Sequence, residues 1–138
     1  SKPVERPLET PQEDTQSEAA SSDELIKRMR AALNQEDTDS LTAALAEAVE
    51  HPAVLVRREA IRIFRNMDDG APVELLHEMV LSDPDSSMRL LALEATAKHN
   101  SEDNLEETLE LLAQAEEEDD SRVSERASEL LEQLKPPE

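Results

Sequence analysis

A proline-led frame recurs along this chain, and its spacing restricts the fold more than any other feature. Asp83-Pro84-Asp85-Ser86-Ser87-Met88-Arg89-Leu90-Leu91-Ala92 has an upstream counterpart in His51-Pro52-Ala53-Val54-Leu55-Val56-Arg57-Arg58-Glu59-Ala60. A weaker copy runs from Asp119 to Ala127. The aligned Ala60, Ala92 and Ala127 stand 32 and then 35 residues apart. A unit of that size is one helical hairpin of a solenoid, which buries its apolar face only by stacking on its neighbours. Within the frame, the fixed φ of proline suits a first helical turn, and the arginine and alanine fall one turn further in.

Apolar residues at helical spacing predict seven helices. The first runs from about Asp23 to Gln35 on Leu25, Ile26, Met29, Ala32 and Leu33, with Lys27, Arg28 and Arg30 on its polar face. Thr38-Asp39-Ser40 caps a second, to about Glu50, and Pro52 opens a third, to about Met67. Gly70, the sole glycine, is placed as a C-terminal stop. Pro72 opens the fourth helix, to about Leu81, and Pro84 the fifth, to about His99. Ser101 or Asp103 caps the sixth, to about Ala115, on Leu105, Leu109 and Leu112. The seventh runs from about Asp120 to Leu134, where Pro136-Pro137 ends it. Each proline between residues 23 and 134 stands where a helix begins, and no β-type alternation appears. The expected fold is all-α, with hairpins over residues 39–67, 71–99 and 102–134 and the first helix as an amphipathic cap.

Composition fits a thin stack. Phe64 is the one aromatic residue, and a ball-shaped core of this size would use several rings, whereas stacked hairpins pack on Leu, Ala, Val and Met. Residues 1–22 carry Pro3, Pro7 and Pro11 among Glu, Thr, Gln and Ser, which predicts a flexible tether ahead of a folded unit over residues 23–135. Such a start suggests a processed or membrane-anchored protein outside the cytoplasm, with the cytoplasm as the alternative.

The formal charge of −20 excludes two classes of partner. An acidic surface repels both the phosphate backbone of nucleic acids and anionic lipid headgroups. A protein partner with a basic surface suits it better. The chain has no cysteine, and no apolar run reaches the length of a membrane span.

The pattern Asp-Pro-Asp-x-x-Met-Arg-x-x-Ala at residues 83–92 resembles the start of the second helix of HEAT repeats. The short period is similar to that of the HEAT-like repeats of phycobilin lyases, and shorter than the usual HEAT or armadillo unit. The resemblance covers about residues 39–134, with His51 replacing the leading Asp of the first copy and Ser124 replacing the Arg of the third. It implies a right-handed α-α superhelix of bacterial type, in which Asp83, Arg57 and Arg89 form structural ladders between repeats. It also implies a scaffold or adaptor that binds proteins. An accessory or chaperone-like helper of an enzyme, tetrapyrrole-related, is the alternative.

In such a stack the residues just past the motif arginine face outward along the second helices. Reading across the repeats gives Arg58, Leu90 and Glu125, then Arg62, Glu94 and Glu129, then Arg65, Ala97 and Glu132. This row runs from basic to acidic and is the candidate partner-binding face, with Leu90 as an apolar contact; a solvated helix face is the plain alternative. The acidic run Glu116–Asp120 lacks the ligand spacing and glycine of an EF-hand and reads as a solvated loop. His51, His77 and His99 show no metal-ligand pairing, and no nucleophile elbow or glycine-rich phosphate loop is present. No catalytic residue, cofactor or metal is expected.

Overall fold

The computed structural model describes residues 22–68 and 70–136, so the expected tether lies outside the described residues except for Ser22. Seven α-helices and one short 3-10 turn account for the regular structure among them, with no strand. α1 covers residues 22–34. It is followed by α2 (Thr38–Val49), α3 (Val54–Asn66), α4 (Val73–Ser82), α5 (Ser86–Lys98), α6 (Leu105–Ala115) and α7 (Ser121–Leu134). The 3-10 turn Glu102–Asn104 leads into α6.

Local chemistry explains the helix starts. Asp37, Asp85 and Asp120 accept hydrogen bonds from the backbone N–H groups of Ser40, Ser87 and Arg122, satisfying donors that α2, α5 and α7 leave free. Ser101 and Asn104 form a reciprocal capping box ahead of α6. Pro52 and Pro84 do not open the first turns of their helices, as the sequence suggested. They precede the N-cap residues Ala53 and Asp85. Their role is to end what comes before, since proline disfavours helical backbone in its predecessor, and Asp83 is accordingly extended at φ −63° and ψ 132°. Gly70 is likewise no C-terminal stop: α3 already ends at Asn66, capped by Met67. At φ 73° it turns the loop toward α4, a conformation that strains any L side chain.

The helices pack in two layers. α2 touches α4 and α4 touches α6, while α3 touches α5 and α5 touches α7; hairpin partners close the gap between layers. One continuous core joins them, running from Leu25 and Met29 of α1 through Leu45, Phe64, Leu76, Met88, Leu93 and Leu112 to Val123 and Leu130 of α7. Stacked hairpins of an α-α solenoid bury their apolar faces in this way. α6 departs from expectation: Thr108, Leu111, Leu112 and Ala115 are buried, while Leu105 and Leu109 are only half-buried. A helix this rich in leucine offers more than one apolar stripe, and the buried Thr108 hydroxyl finds Asn104 Oδ1 at 3.5 Å. α1 is held by more than its apolar face. Arg28 reaches Glu47 of α2 and Arg30 reaches Glu59 of α3.

Candidate partner-binding surfaces

The proline-led turns are clamped together by arginine. Arg57 donates from Nε and Nη2 to the two carboxylate oxygens of Asp83 at 2.9 and 3.3 Å. Its Nη1 donates to the carbonyls of His51 and Pro52 in its own turn. Arg89 repeats the device one unit on, donating to the Asp83 carbonyl through Nη1 and to Glu118 Oε1 through Nε. Each arginine thus joins its own turn to an acid of the following one. His51 fits the same frame from the other side: its Nδ1 accepts from the Ala53 N–H, as Asp83 Oδ1 accepts from that of Asp85. Ser124, at the third arginine position, bonds back to the Ser121 carbonyl and to no other side-chain partner among the described residues. The arginines and Asp83 of the repeat motif are therefore framework groups.

Two carbonyls at the end of α3 are met from the next repeat, one of them, that of Phe64, already accepting the Met67 N–H. Lys98 Nζ donates to the Arg65 carbonyl, and His99 Nε2 donates to that of Phe64 at 2.5 Å. His99 is thus a helix cap reaching across repeats. His51 serves its own turn. His77, half-buried on α4, is the odd one, with a buried Nε2 that has no hydrogen-bond partner among the described residues. Burial pushes its pKa below the ordinary 6.5, against the opposing pull of Glu107 and Glu74. No group of three or more His, Asp or Glu side chains among the described residues is arranged to hold a metal ion.

The structure brings the expected row together on α3, α5 and α7, but with different freedom along it. Arg58 and Arg65 are exposed, and their side chains have no partner among the described residues. Arg62 is exposed yet turns back on Glu59, one helical turn earlier, which also receives Arg30. The Glu59 carboxyl is held below its ordinary pKa by the hydrogen bond from Arg62, with Arg30 contributing. Leu90 is half-buried, packed in part on the core where α5 is flanked by α3 and α7. Glu94 is engaged as well, accepting both Nε and Nη2 of Arg126 at 2.8 and 2.9 Å. Glu125 and Glu132 are exposed and unpaired among the described residues, and Glu129 lies 3.7 Å from Arg126. The row is therefore a half-covered α5 between a cationic edge and an anionic one.

The acidic run is a loop, as expected, with Glu116, Glu117 and Asp119 exposed, but three of its acids are also tied into the framework. Glu116 accepts from Ser128, Glu118 receives Arg89, and Asp120 caps α7 while holding Arg122. Arg122 in turn reaches Ser86 Oγ at the head of α5.

Sequence reasoning missed a groove of about 620 Å³ between the α2–α3 and α4–α5 turns. Val49, Pro52, Met79 and Pro84 supply its apolar lining, and the Arg57–Asp83 pair lies against it. Glu50 and Glu78 line it as well, both exposed and without a side-chain partner among the described residues. The available signal was the proximity in sequence of Glu50 to one proline turn and of Glu78 to the next. Only the stacking of the repeats brings the two into one groove.

With this geometry in view, the comparisons are informative. The sequence model described as HEAT repeats matches residues 39–132, most of the chain and all three hairpins but the ends. The chain belongs to the HEAT-repeat family. Comparison with curated proteins and with solved structures gave no match. HEAT repeats are commonly protein-interaction scaffolds. No helix among its described residues is long and apolar enough to cross a membrane.

Proposed function

We propose that this HEAT-repeat chain is a non-catalytic docking module whose partner protein lies across α3, α5 and α7. The observation that carries the reading is the charge polarity of that layer. Among the described residues Arg58 and Arg65 are unpaired cations on one edge, and Glu125 and Glu132 are unpaired anions on the other. Charges left without partners on a framework that pairs so many of its arginines are available to steer and orient a complementary surface. Half-buried Leu90 and Ala97 between the edges let a partner approach the α5 backbone closely. The larger acidic excess favours a partner that is basic where it meets α7. The period of 32 and then 35 residues supports the likeness to the short repeats of phycobilin lyases. A bacterial source and a location outside the cytoplasm rest on that likeness and on the proline-rich start.

The test is quantitative capture from the source extract, at low and high salt, with the parent chain, R58E/R65E and E125K/E132K side by side. Selective loss of the same protein from both variants supports the reading. Equal capture by all three overturns it.

A further inference from the structure

We infer that the groove between the first two proline turns is a docking site for a lysine- or arginine-bearing segment of a protein. Its occupant would lay an aliphatic stem on Val49, Met79, Pro52 and Pro84 and place the cation between Glu50 and Glu78. This surface is formed by the turn edge and stands apart from the face of α3, α5 and α7.

Rigidity comes from the framework. Arg57 is buried, spans from the His51 and Pro52 carbonyls to the Asp83 carboxylate, and so fixes the two turns that flank the groove. That pair is internally neutral and fully occupied. The uncompensated charge at the groove is therefore that of Glu50 and Glu78, both exposed. A groove walled by the exposed Pro52 and Pro84, floored by the buried Val49 and Met79 and lined by the exposed Glu50 and Glu78 matches the chemistry of long basic side chains, whose stems bury on apolar surface while the charged head stays at the rim.

The surroundings favour a polypeptide over a lone small cation. A second groove, of about 410 Å³, lies on the other side of the α2–α3 turn and shares Glu50, His51 and Pro52 with the first. It adds Glu24, Glu47 and Leu25, while Arg28 there is neutralised by Glu47. The two grooves make a track along the turn edge, acidic at both ends and bridged by Glu50. An extended segment with spaced basic residues can follow such a track. A single amine would fill only part of it.

The probe is a dye-labelled peptide alternating arginine and glycine, titrated by fluorescence anisotropy against the parent chain. Three variants are compared: E50Q/E78Q, E106Q/E110Q with the same charge change on α6, and R58E/R65E. Saturable binding is expected to weaken about tenfold in E50Q/E78Q and less than about threefold in E106Q/E110Q, because diffuse attraction is screened by salt and a seated ion pair less so. Amide resonances of Val49, Glu50, Glu78 and Ser82 are expected to shift on titration. R58E/R65E is expected to bind the peptide no more weakly than the parent, which separates this groove from the proposed α3–α5–α7 face. Equal weakening in the two glutamine variants, or resonance shifts centred on α6 and α7, would overturn the inference. So would N-acetyl-arginine amide binding at the same resonances as tightly as the peptide, since the site would then recognise one free cation and not a chain.

Discussion

Arg57 and Asp83 form a buried ion pair between consecutive repeats, with Nε and Oδ2 at 2.9 Å and both side chains almost wholly removed from water. Asp83 also accepts the Asp85 N–H, and Arg57 covers two turn carbonyls, so every strong polar group at this junction has a partner. Removing one member strands the other. Asp83→Ala is expected to cost about 3–5 kcal/mol in urea unfolding. The equivalent rung, Arg89 with Glu118, keeps roughly a fifth of each side chain in water, and Glu118→Ala is expected to cost about 1 kcal/mol. Equal losses in the two variants would show that burial does not set the strength of the ladder.

His77 gives a prediction of opposite sign. Its buried, unpartnered Nε2 leaves a polar group without compensation on α4. His77→Leu is therefore expected to raise stability by about 1 kcal/mol at neutral pH. Burial lowers the folded pKa below 6.5. As pH falls, the unfolded chain takes up the proton first, so stability is lost from about pH 6.5 downward and levels off below the folded value. Urea midpoints of parent and His77→Leu, measured between about pH 7.5 and about pH 5, should diverge on that limb. Parallel curves would mean that His77 does not feel its burial.

The helices were legible in the sequence because leucine, alanine and proline spacing reports them locally. The Arg57–Asp83 clamp was foreshadowed only through the resemblance to HEAT repeats, which implied ladders of Asp83, Arg57 and Arg89 between repeats. What escaped was any pairing that depends on how two repeats meet. Glu118 is in register with Asp83 once the 35-residue spacing is applied, yet it sits in a run of five acids that gives no sign which one takes Arg89. Glu94 looked free because its partner Arg126 lies 32 residues away on another helix. Arg30 and Glu59 make the same kind of contact at a separation of 29. The residue 29 beyond Arg62 is Leu91, and Arg62 pairs within its own helix instead. A single stripe of outward residues thus contains framework groups and free ones, and sequence spacing alone does not sort them.

Asp120 carries the clearest acid signature. Hydrogen bonding from the Arg122 side chain, with Ser86 and the Arg122 N–H helping, lowers its pKa from 3.8 to about 2. A depressed folded pKa contributes stability that is complete above the unfolded value and is lost as pH falls through the folded one. The Asp120 carboxyl resonance is expected to titrate near 2, in the window where the start of α7 loosens. In Asp120→Asn the cap persists without the charge, so the melting temperature should depend less on pH between about 4 and about 2. A carboxyl titrating at its ordinary value would show that Arg122 is not held there in solution.

The Glu94–Arg126 contact decides whether Glu94 belongs to the framework or to the binding face. Two short hydrogen bonds join α5 to α7, with about a third of each side chain exposed. Exposure keeps the coupling small, about 0.5–1 kcal/mol in a double-mutant cycle. Charge swapping separates the two roles. E94R/R126E restores the pair with its polarity reversed and is expected to recover most of the stability that either single change loses. The same swap leaves Arg58, Arg65, Glu125 and Glu132 in place, so capture of a partner across α3, α5 and α7 should survive it. Recovered stability with lost capture would move Glu94 from the framework into the docking surface.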